Sequence, residues 1–213
     1  MKEITKIKTK DKIILCAIQL YNENGVQSIT SRHIAAKLGI SHGNLDYHYK
    51  TKEDLILAIY KRMRKEMSES YLLRDEYTSS MEHFYRLLIH TEEFQNKYRF
   101  FNLDVLEISR SYPTTSKLLK KTLEIRENQM NSFFKEFITE GYMQHHKDDK
   151  LKRLQHTIRI VITFWLSKQE VLTNYKFNEK GEMVRHIWDV MLPFLSDEGR
   201  NEQQRLTREF SNL

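Results

Sequence analysis

The segment of residues 30–52 constrains the fold of this chain more than any other part of the sequence. A hydroxyl residue at its start, Thr30 or Ser31, can cap a first helix. Gly39 stands where the C-terminus of that helix favours a left-handed residue, and Ser41 can cap a second helix two residues later. The segment therefore predicts two short helices joined by a tight turn.

The second of these helices has an unusual outward face. At about 100° per residue, Leu45 and Tyr49 fall on one side and point inward, so the opposite side is centred on Gly43 and Tyr47. A glycine lowers helix propensity by up to about 1 kcal/mol, but it lets the backbone approach another surface closely. Asn44 and the tyrosine offer hydrogen-bonding groups to bases or phosphates. This is the pattern of a helix-turn-helix, whose second helix enters the major groove of DNA.

Three stretches in the first quarter of the chain resemble the DNA-binding domain of the TetR family of bacterial transcriptional regulators. They are IILCAIQLYNENG at residues 13–25, IAAKLGIS at residues 34–41 and GNLDYHYKTKEDL at residues 43–55. The other three quarters of the chain are similar to that family in helical character and length. One position departs from the family pattern, because Asp46 stands where the family commonly has tyrosine. This places a carboxylate in the second helix.

The resemblance implies a homodimeric regulator that binds a double-stranded DNA operator and responds to an unknown small-molecule effector. The second helix of the motif would read bases, while Lys52 and the basic N-terminal arm would hold phosphates. A phosphate beside Lys52 would also meet the free amides at the start of the next helix. The predicted DNA contacts are Ser31, Arg32, His42, Gly43, Asn44, Asp46, Tyr47, His48 and Lys52.

Two interpretations of Asp46 stay open. Lys50 follows it by one helical turn and can neutralise it in an exposed pair that contributes about 0.3–0.5 kcal/mol. Alternatively, Asp46 can accept a hydrogen bond from a cytosine amino group, a contact that contributes about 1–3 kcal/mol of discrimination between bases.

The distribution of charge agrees with a DNA contact. The chain has a formal net charge of +6, and residues 1–52 hold nine basic and four acidic side chains. The rest of the chain holds 26 basic and 25 acidic side chains, so it is nearly neutral. A run of charge is often only a solvated surface, and it gains weight here because it coincides with the motif.

The composition predicts an all-α protein, because two prolines and six glycines are too few to punctuate a many-stranded sheet. We expect an N-terminal three-helix helix-turn-helix DNA-binding domain at residues 1–52. It would be joined to a larger helical effector-binding and dimerisation domain at residues 53–213. The one cysteine, Cys16, should be a small core residue of the first helix. No targeting segment and no run of about 20 apolar residues is visible, so the expected localisation is cytoplasmic, without a membrane partner.

The second domain reads as helices throughout. A long helix is expected at residues 114–140, and two helices with broad apolar faces are expected at residues 151–173 and 182–195. In the resembled family, the last two pack against their copies in a second subunit as a four-helix bundle. On that basis, a charge at Ile162 should produce monomers. The alternative is that both helices only close the core of the monomer.

Candidate effector contacts are polar or aromatic groups on otherwise apolar central helices, although such residues are more often plain core or surface. They are His83, His90, Asp104, Gln129, Phe133, Phe137 and Trp165.

Nothing in the sequence indicates catalysis or a cofactor. We find no nucleotide-binding glycine loop, nucleophile elbow or paired-carboxylate site, so an enzyme is not expected. His145 and His146 stand near Asp148 and Asp149, but their polar, charged surroundings favour a solvated loop over a metal site.

Three functions remain open. The first is a dimeric repressor that a small molecule releases from its operator. The second is a DNA-binding protein whose C-terminal domain only dimerises or binds a protein partner. The third is an enzyme that carries a helix-turn-helix. An internal cavity with converging polar groups would favour the first over the second, and the family resemblance makes the first the expected function.

Overall fold

The computed structural model describes residues 8–71, 77–172 and 179–210, and the all-α prediction is confirmed for these ranges. Their regular elements are eleven α-helices and one 3₁₀ turn at Leu192–Phe194. The α-helices are α1 (Thr9–Ser28), α2 (Ser31–Leu38), α3 (His42–His48), α4 (Lys52–Tyr71), α5 (Ser80–Lys97), α6 (Arg99–Leu103), α7 (Val105–Ser111), α8 (Pro113–Thr139), α9 (Asp148–Val171), α10 (Glu182–Met191) and α11 (Asp197–Phe210).

Packing divides the chain into two compact units. The first unit runs to Glu66 and includes Tyr98–Lys120. The second unit consists of Met67–Lys97 and the chain from Lys121 onward. The predicted domain boundary after residue 52 stays a prediction. In terms of packing, most of α4 and the segment from α6 to the start of α8 belong with the N-terminal helices.

The caps predicted for α2 and α3 are confirmed. Thr30, not Ser31, caps α2: its hydroxyl accepts from the His33 amide at 3.4 Å, and the His33 ring accepts from the Thr30 amide at 3.3 Å. Gly39 ends α2 in the left-handed region, with φ 66° and ψ 29°, where a residue with a side chain would be strained. The Ser41 hydroxyl accepts from the Asn44 amide at 3.2 Å and so starts α3. Three amide groups at these helix starts, those of Thr30, His33 and Asn44, are thereby satisfied.

Helix α1 carries the core of the first unit, and its helical conformation breaks at Gly25. Gly25 has φ 76° and ψ 158°, and three more residues then complete α1 to Ser28. Ile13 and Ala17 are fully buried, and Cys16 is buried beside them. Burial raises the pKa of the Cys16 thiol, which fits the predicted core residue and not a reactive thiolate.

Helix α4 begins with a reciprocal cap. The Thr51 hydroxyl accepts from the Asp54 amide at 3.1 Å, and the Asp54 carboxylate accepts from the Thr51 amide at 2.9 Å. These two bonds form a capping box, with aspartate in place of glutamate.

Helices α6 and α7 belong to the first unit because their backbone and side chains bond to α1. The Phe100 amide donates to the Asn22 side chain at 3.1 Å, and the Phe100 ring lies 5.3 Å from the Tyr21 ring. Between α6 and α7, the Asp104 carboxylate accepts from the Val26 amide at 2.8 Å. These contacts hold a segment far away in the sequence against the end of α1.

An aromatic cluster forms the core of the second unit. The Phe84 ring packs edge-on against Phe133 at 5.2 Å and Trp188 at 5.7 Å. The C-terminal helix α11 docks on this core, because Phe210 lies 5.4 Å from Tyr85 and both residues are buried.

The two prolines mark helix boundaries. Pro113 is the first residue of α8, where the missing amide costs nothing. Pro193 lies in the 3₁₀ turn that follows α10, so the helix predicted at residues 182–195 ends at Met191.

None of the helices in the described ranges is long and apolar enough to cross a membrane. The side chains described in those ranges include no group of three or more His, Cys, Asp or Glu residues that could hold a metal ion.

Candidate nucleic-acid interface and internal cavity

Helix α3 points its apolar residues inward and its polar face outward, as predicted. Leu45 and Tyr49 are buried, whereas 85% of the Tyr47 surface is exposed. A side chain added at Gly43 would meet no atom within 4 Å, so the backbone there is open to an approaching surface. Asn44 is exposed beside it. We define the exposed face of α3 as Gly43, Asn44 and Tyr47. It carries hydrogen-bonding groups on Asn44 and Tyr47 and has no side chain at Gly43.

Three polar side chains connect α2 to α3. The Ser31 hydroxyl lies 2.8 Å from Nε2 of His42, and Nδ1 of His42 lies 3.1 Å from the Asp46 carboxylate. With its proton on Nδ1, His42 donates to Asp46 and accepts from Ser31. This chain of contacts sets the orientation of His42 between the two helices.

The predicted neutralisation of Asp46 by Lys50 is corrected by the structure, in which Asp46 pairs with a different residue. Helix α3 ends at His48, and Tyr49 is extended with φ −142° and ψ 100°. Lys50 therefore lies beyond the helix, where the one-turn spacing no longer applies. The partner of Asp46 is His42, one turn earlier in the same helix.

The order Ser31, His42 and Asp46 is also that of a nucleophilic triad, but the surroundings differ from an active site. A triad acts in a concave site with donors placed for an oxyanion. The depression that Ser31 and Asp46 line measures about 30 Å³, which holds about one water molecule. The arrangement fits a structural connection between α2 and α3.

The sequence predicts that Lys52 contacts a phosphate, but in the structure its side chain bonds within the protein. Its ammonium donates to the Val26 carbonyl and lies 5.9 Å from the centre of the Tyr21 ring. Burial lowers the pKa of Lys52, and the nearby Asp104 carboxylate opposes this shift. This bond ties the start of α4 to the end of α1, and the phosphate contact of Lys52 stays a prediction.

Other basic side chains of the first unit are exposed to solvent. Arg32 of α2 is exposed, and so are Lys37 and Lys50. His48 is half-buried, with its ring edge-on to Tyr47 at 5.3 Å. Most of the basic arm, at residues 1–7, lies outside the described residues. Lys37 and Lys50 were missed as individual contacts, although the positive charge of residues 1–52 includes them.

Helices α4, α5, α8 and α9 line a cavity of about 200 Å³ in the second unit. Its wall is mostly apolar, with Phe84 and Leu88 from α5 and Met130 from α8. Of the seven predicted effector contacts, Gln129 and Phe133 line it. Their role as effector contacts stays a prediction.

The other predicted effector contacts are placed elsewhere. His83 is buried and stacked on Tyr77 at 4.8 Å, and Phe137 is fully buried in the core. Trp165 is buried with its ring 5.0 Å from His186, and His90 lies beside Phe94 at 6.2 Å.

Asp104 was predicted as an effector contact, but it belongs to the first unit, whereas the cavity lies in the second. Its carboxylate accepts from the Val26 amide at 2.8 Å, which uses the charge to satisfy a backbone donor at the break in α1. It is not part of the cavity wall.

Two arginines of the cavity wall, Arg126 and Arg159, were missed by the sequence prediction. A signal for Arg126 was available. It interrupts a stripe of apolar residues in α8 at spacings of three and four, which is the spacing of one helix face. The stripe is Leu119, Leu123, Met130, Phe133 and Phe137, with Arg126 between the second and third members.

Both parts of the chain match known family models. Residues 13–59 match the model described as bacterial regulatory proteins, tetR family, and residues 62–202 match the model described as bacterial transcriptional repressor. Among curated proteins, the regulator QacR of Staphylococcus aureus is 33% identical over 103 residues, which cover 42% of this chain and 55% of that protein. The class D tetracycline repressor of Escherichia coli is 38% identical over 50 residues, covering 24% and 23%. The chain thus spans about half or less of these relatives.

Solved structures match over a larger share of the chain. A TetR-family regulator from Marinobacter aquaeolei has a TM-score of 0.85 and 26% identity, covering 95% of this chain and 98% of that one. A regulator from Saccharomonospora viridis, solved in complex with choline, has a TM-score of 0.72 and 18% identity, covering 88% and 97%. The second likeness concerns the fold alone.

Proposed function

Because this chain belongs to the TetR family of bacterial transcriptional regulators, we propose that it is a dimeric repressor which a small molecule releases from operator DNA. Helix α3 reads the major groove of the operator, and the cavity of the second unit takes the effector. The observation that carries this proposal is the exposed face of α3, with Tyr47 at its centre, in a segment that holds most of the net positive charge of the chain.

The chemistry of the exposed face of α3 suits base recognition. Asn44 and Tyr47 supply hydrogen-bonding groups, and Gly43 allows the helix backbone to approach the groove. Arg32, Lys37 and Lys50 are exposed and supply the sequence-independent attraction to phosphates. Ser31 and Asp46 orient His42 through the contacts described above.

The cavity favours a small-molecule effector over a second unit that only dimerises. Its apolar wall with a few polar groups is the usual form of a small-molecule site. A structural neighbour was solved with choline, and another is a gamma-butyrolactone receptor, so similar folds do hold small molecules. Helices α4 and α8 both supply residues to the wall and run on into the first unit, so they are the proposed path of the effector signal.

An exposed apolar strip on α9 supports a homodimer. Ile160, Phe164 and Val171 are exposed at helical spacings of four and seven, although they are large and apolar. All apolar residues of α10 except the half-buried Val190 are buried in the core of their own unit, so α10 offers less apolar surface than the sequence indicates. We therefore propose that a second copy covers the strip on α9.

Ile162 is not a suitable position for the charged substitution that tests the dimer. Ile162 lines the cavity, and its carbonyl accepts from the Gln95 side chain at 2.6 Å. A charge there would disturb the cavity and the dimer together. Phe164 reports on the dimer without this ambiguity.

The proposal is tested by gel-shift titration of the whole protein with the DNA upstream of its own gene and with random DNA of equal length. A repressor of this kind should prefer the upstream DNA by at least about a thousandfold, and small molecules that stabilise the protein should weaken that complex. Equal affinity for both DNAs would contradict a sequence-specific regulator. Tight, specific binding that no stabilising ligand weakens would favour the dimerisation-only alternative.

Replacing Asp46 with asparagine should raise the affinity for operator and random DNA alike. The amide oxygen still accepts from His42, so the contacts between α2 and α3 persist while a negative charge near the phosphates is removed. We expect a two- to fivefold increase, or about 0.5–1 kcal/mol, as is usual for exposed charges. Competition gel shifts at two salt concentrations measure this effect.

The matched control for this variant is Glu23→Gln, which removes the same charge from α1 and keeps the acceptor that bonds Gln19 at 2.9 Å. It should change the affinities less than Asp46→Asn does. A fall in the ratio of operator to random affinity, with relaxed preference at one base pair, would show that Asp46 reads a base instead. Unchanged affinity for both DNAs would remove Asp46 from the interface.

A further inference from the structure

The charged side chains described in the cavity wall are all positive. Arg126 and Arg159 line the cavity, and no aspartate or glutamate is among the lining residues described. Glu124 and Glu127 flank Arg126 in the sequence but are exposed and lie outside the wall. A half-buried site with two guanidinium groups and no carboxylate in its wall has a positive potential.

Hydrogen bonds hold both arginine side chains against α8. The Arg159 guanidinium, from α9, donates to the Leu123 carbonyl of α8 at 3.2 Å. The Arg126 guanidinium donates to the Gln129 side chain at 2.7 Å, one turn further along α8. Both groups are thus held against adjacent turns of one helix. The bond to Leu123 uses one of the five N–H donors of Arg159, which leaves donors for a ligand.

The remainder of the wall is apolar. Phe84 and Leu88 from α5, Met130 and Phe133 from α8, and Ile162 from α9 enclose the space. A ligand that fills it gains from burying apolar surface, by about 25 cal/mol per Å².

We propose that the effector is an amphiphilic organic anion, with its carboxylate between Arg126 and Arg159 and its apolar body against the phenylalanine side of the wall. This inference rests on the proposed function, since it names the chemical class of the effector. A planar guanidinium matches the geometry of a carboxylate and can bind it through two parallel hydrogen bonds. An anion also offsets the repulsion between two cations that line one cavity, whereas a cationic ligand adds to it.

The test uses ligands that share an eight-carbon chain and differ in their head group: octanoate, octyl phosphate, octanol and octylammonium. Choline serves as a second cation. Calorimetric titration of the full-length protein should give at least tenfold tighter binding for octanoate than for octanol, and no binding for octylammonium or choline. If octyl phosphate binds more tightly than octanoate, the anionic class stands and its head group is a phosphate. Binding of octanol or octylammonium as tight as that of octanoate, or no binding of either anion, would overturn the proposal.

Replacing Arg159 with glutamine should separate charge from shape. The residue is partly exposed and bonds only to a main-chain carbonyl among the described contacts, so the variant should fold. Octanoate affinity should fall about tenfold or more, while octanol affinity changes less than twofold. The matched control is Arg208→Gln in α11, which removes the same exposed charge outside the cavity and should leave both affinities unchanged. Equal losses in the two variants would indicate a general charge effect and contradict the site.

Measurements of DNA binding distinguish a failure of the proposed regulator function from a failure of the proposed effector class. With ligand-free protein, specific gel shifts test the regulator function without any anion. If operator binding is present and octanoate fails to bind, only the effector class is wrong. If octanoate binds at the cavity but the protein does not select its upstream DNA, the regulator function fails and the anion site stands.

Discussion

Replacing Tyr47 with alanine is expected to abolish specific operator binding while the fold and the dimer persist. Tyr47 is 85% exposed, so its side chain contributes little to the packing of α3. It also lies at the centre of the exposed face of that helix, where its ring and hydroxyl are available to bases and phosphates. We expect the affinity for the operator to fall by about 100-fold or more, which corresponds to about 2–3 kcal/mol.

Three measurements make the Tyr47 result interpretable. Thermal unfolding should place the variant within about 0.5 kcal/mol of the parent protein, as is usual for surface substitutions. Tyr47→Phe keeps the ring, so its effect shows how much of the loss belongs to the hydroxyl. Leu106→Ala, at an exposed apolar position of α7 in the same unit, is the control and should leave DNA binding unchanged. Undiminished operator affinity in a folded Tyr47→Ala protein would contradict the proposal that this face of α3 reads the operator.

Replacing Phe164 with glutamate should convert the dimer into monomers. The side chain is 46% exposed in a single copy, so a charge there is tolerated by the monomer. In a two-fold dimer both copies of the residue are buried, and each loses about 1.5–3 kcal/mol of apolar burial in addition to the cost of burying a carboxylate. The dimer should therefore dissociate at concentrations at least 100-fold higher than for the parent protein.

Sedimentation or light scattering measures the oligomeric state, and gel shifts measure the consequence for DNA. A monomer presents one α3 at a time, so operator affinity should fall steeply while random DNA is bound nearly as before. The control is Ile125→Glu on α8, because Ile125 is also a large exposed apolar residue, at 39%, but lies outside the strip on α9. A dimer that survives Phe164→Glu would contradict the α9 interface, and monomers from Ile125→Glu would move it to α8.

The sequence by itself determined the local features of this protein. The caps at Thr30, Ser41 and Thr51 and the left-handed end of α2 at Gly39 involve partners within three or four residues. Such contacts are written into neighbouring positions, and the periodicity of a helix determines which of its own faces a residue occupies. The outward face of α3 could be predicted from these rules alone.

Only the tertiary structure decided which distant groups became partners. Lys52 bonds to a carbonyl 26 residues earlier and Asp104 to an amide 78 residues earlier, and no local pattern encodes either separation. For the same reason, residue type pointed to His83 and Trp165 as effector contacts, whereas packing buried both in the core and brought Arg126 and Arg159 to the cavity. A helix face can be read from one segment of sequence, but what covers that face depends on how other helices fold against it.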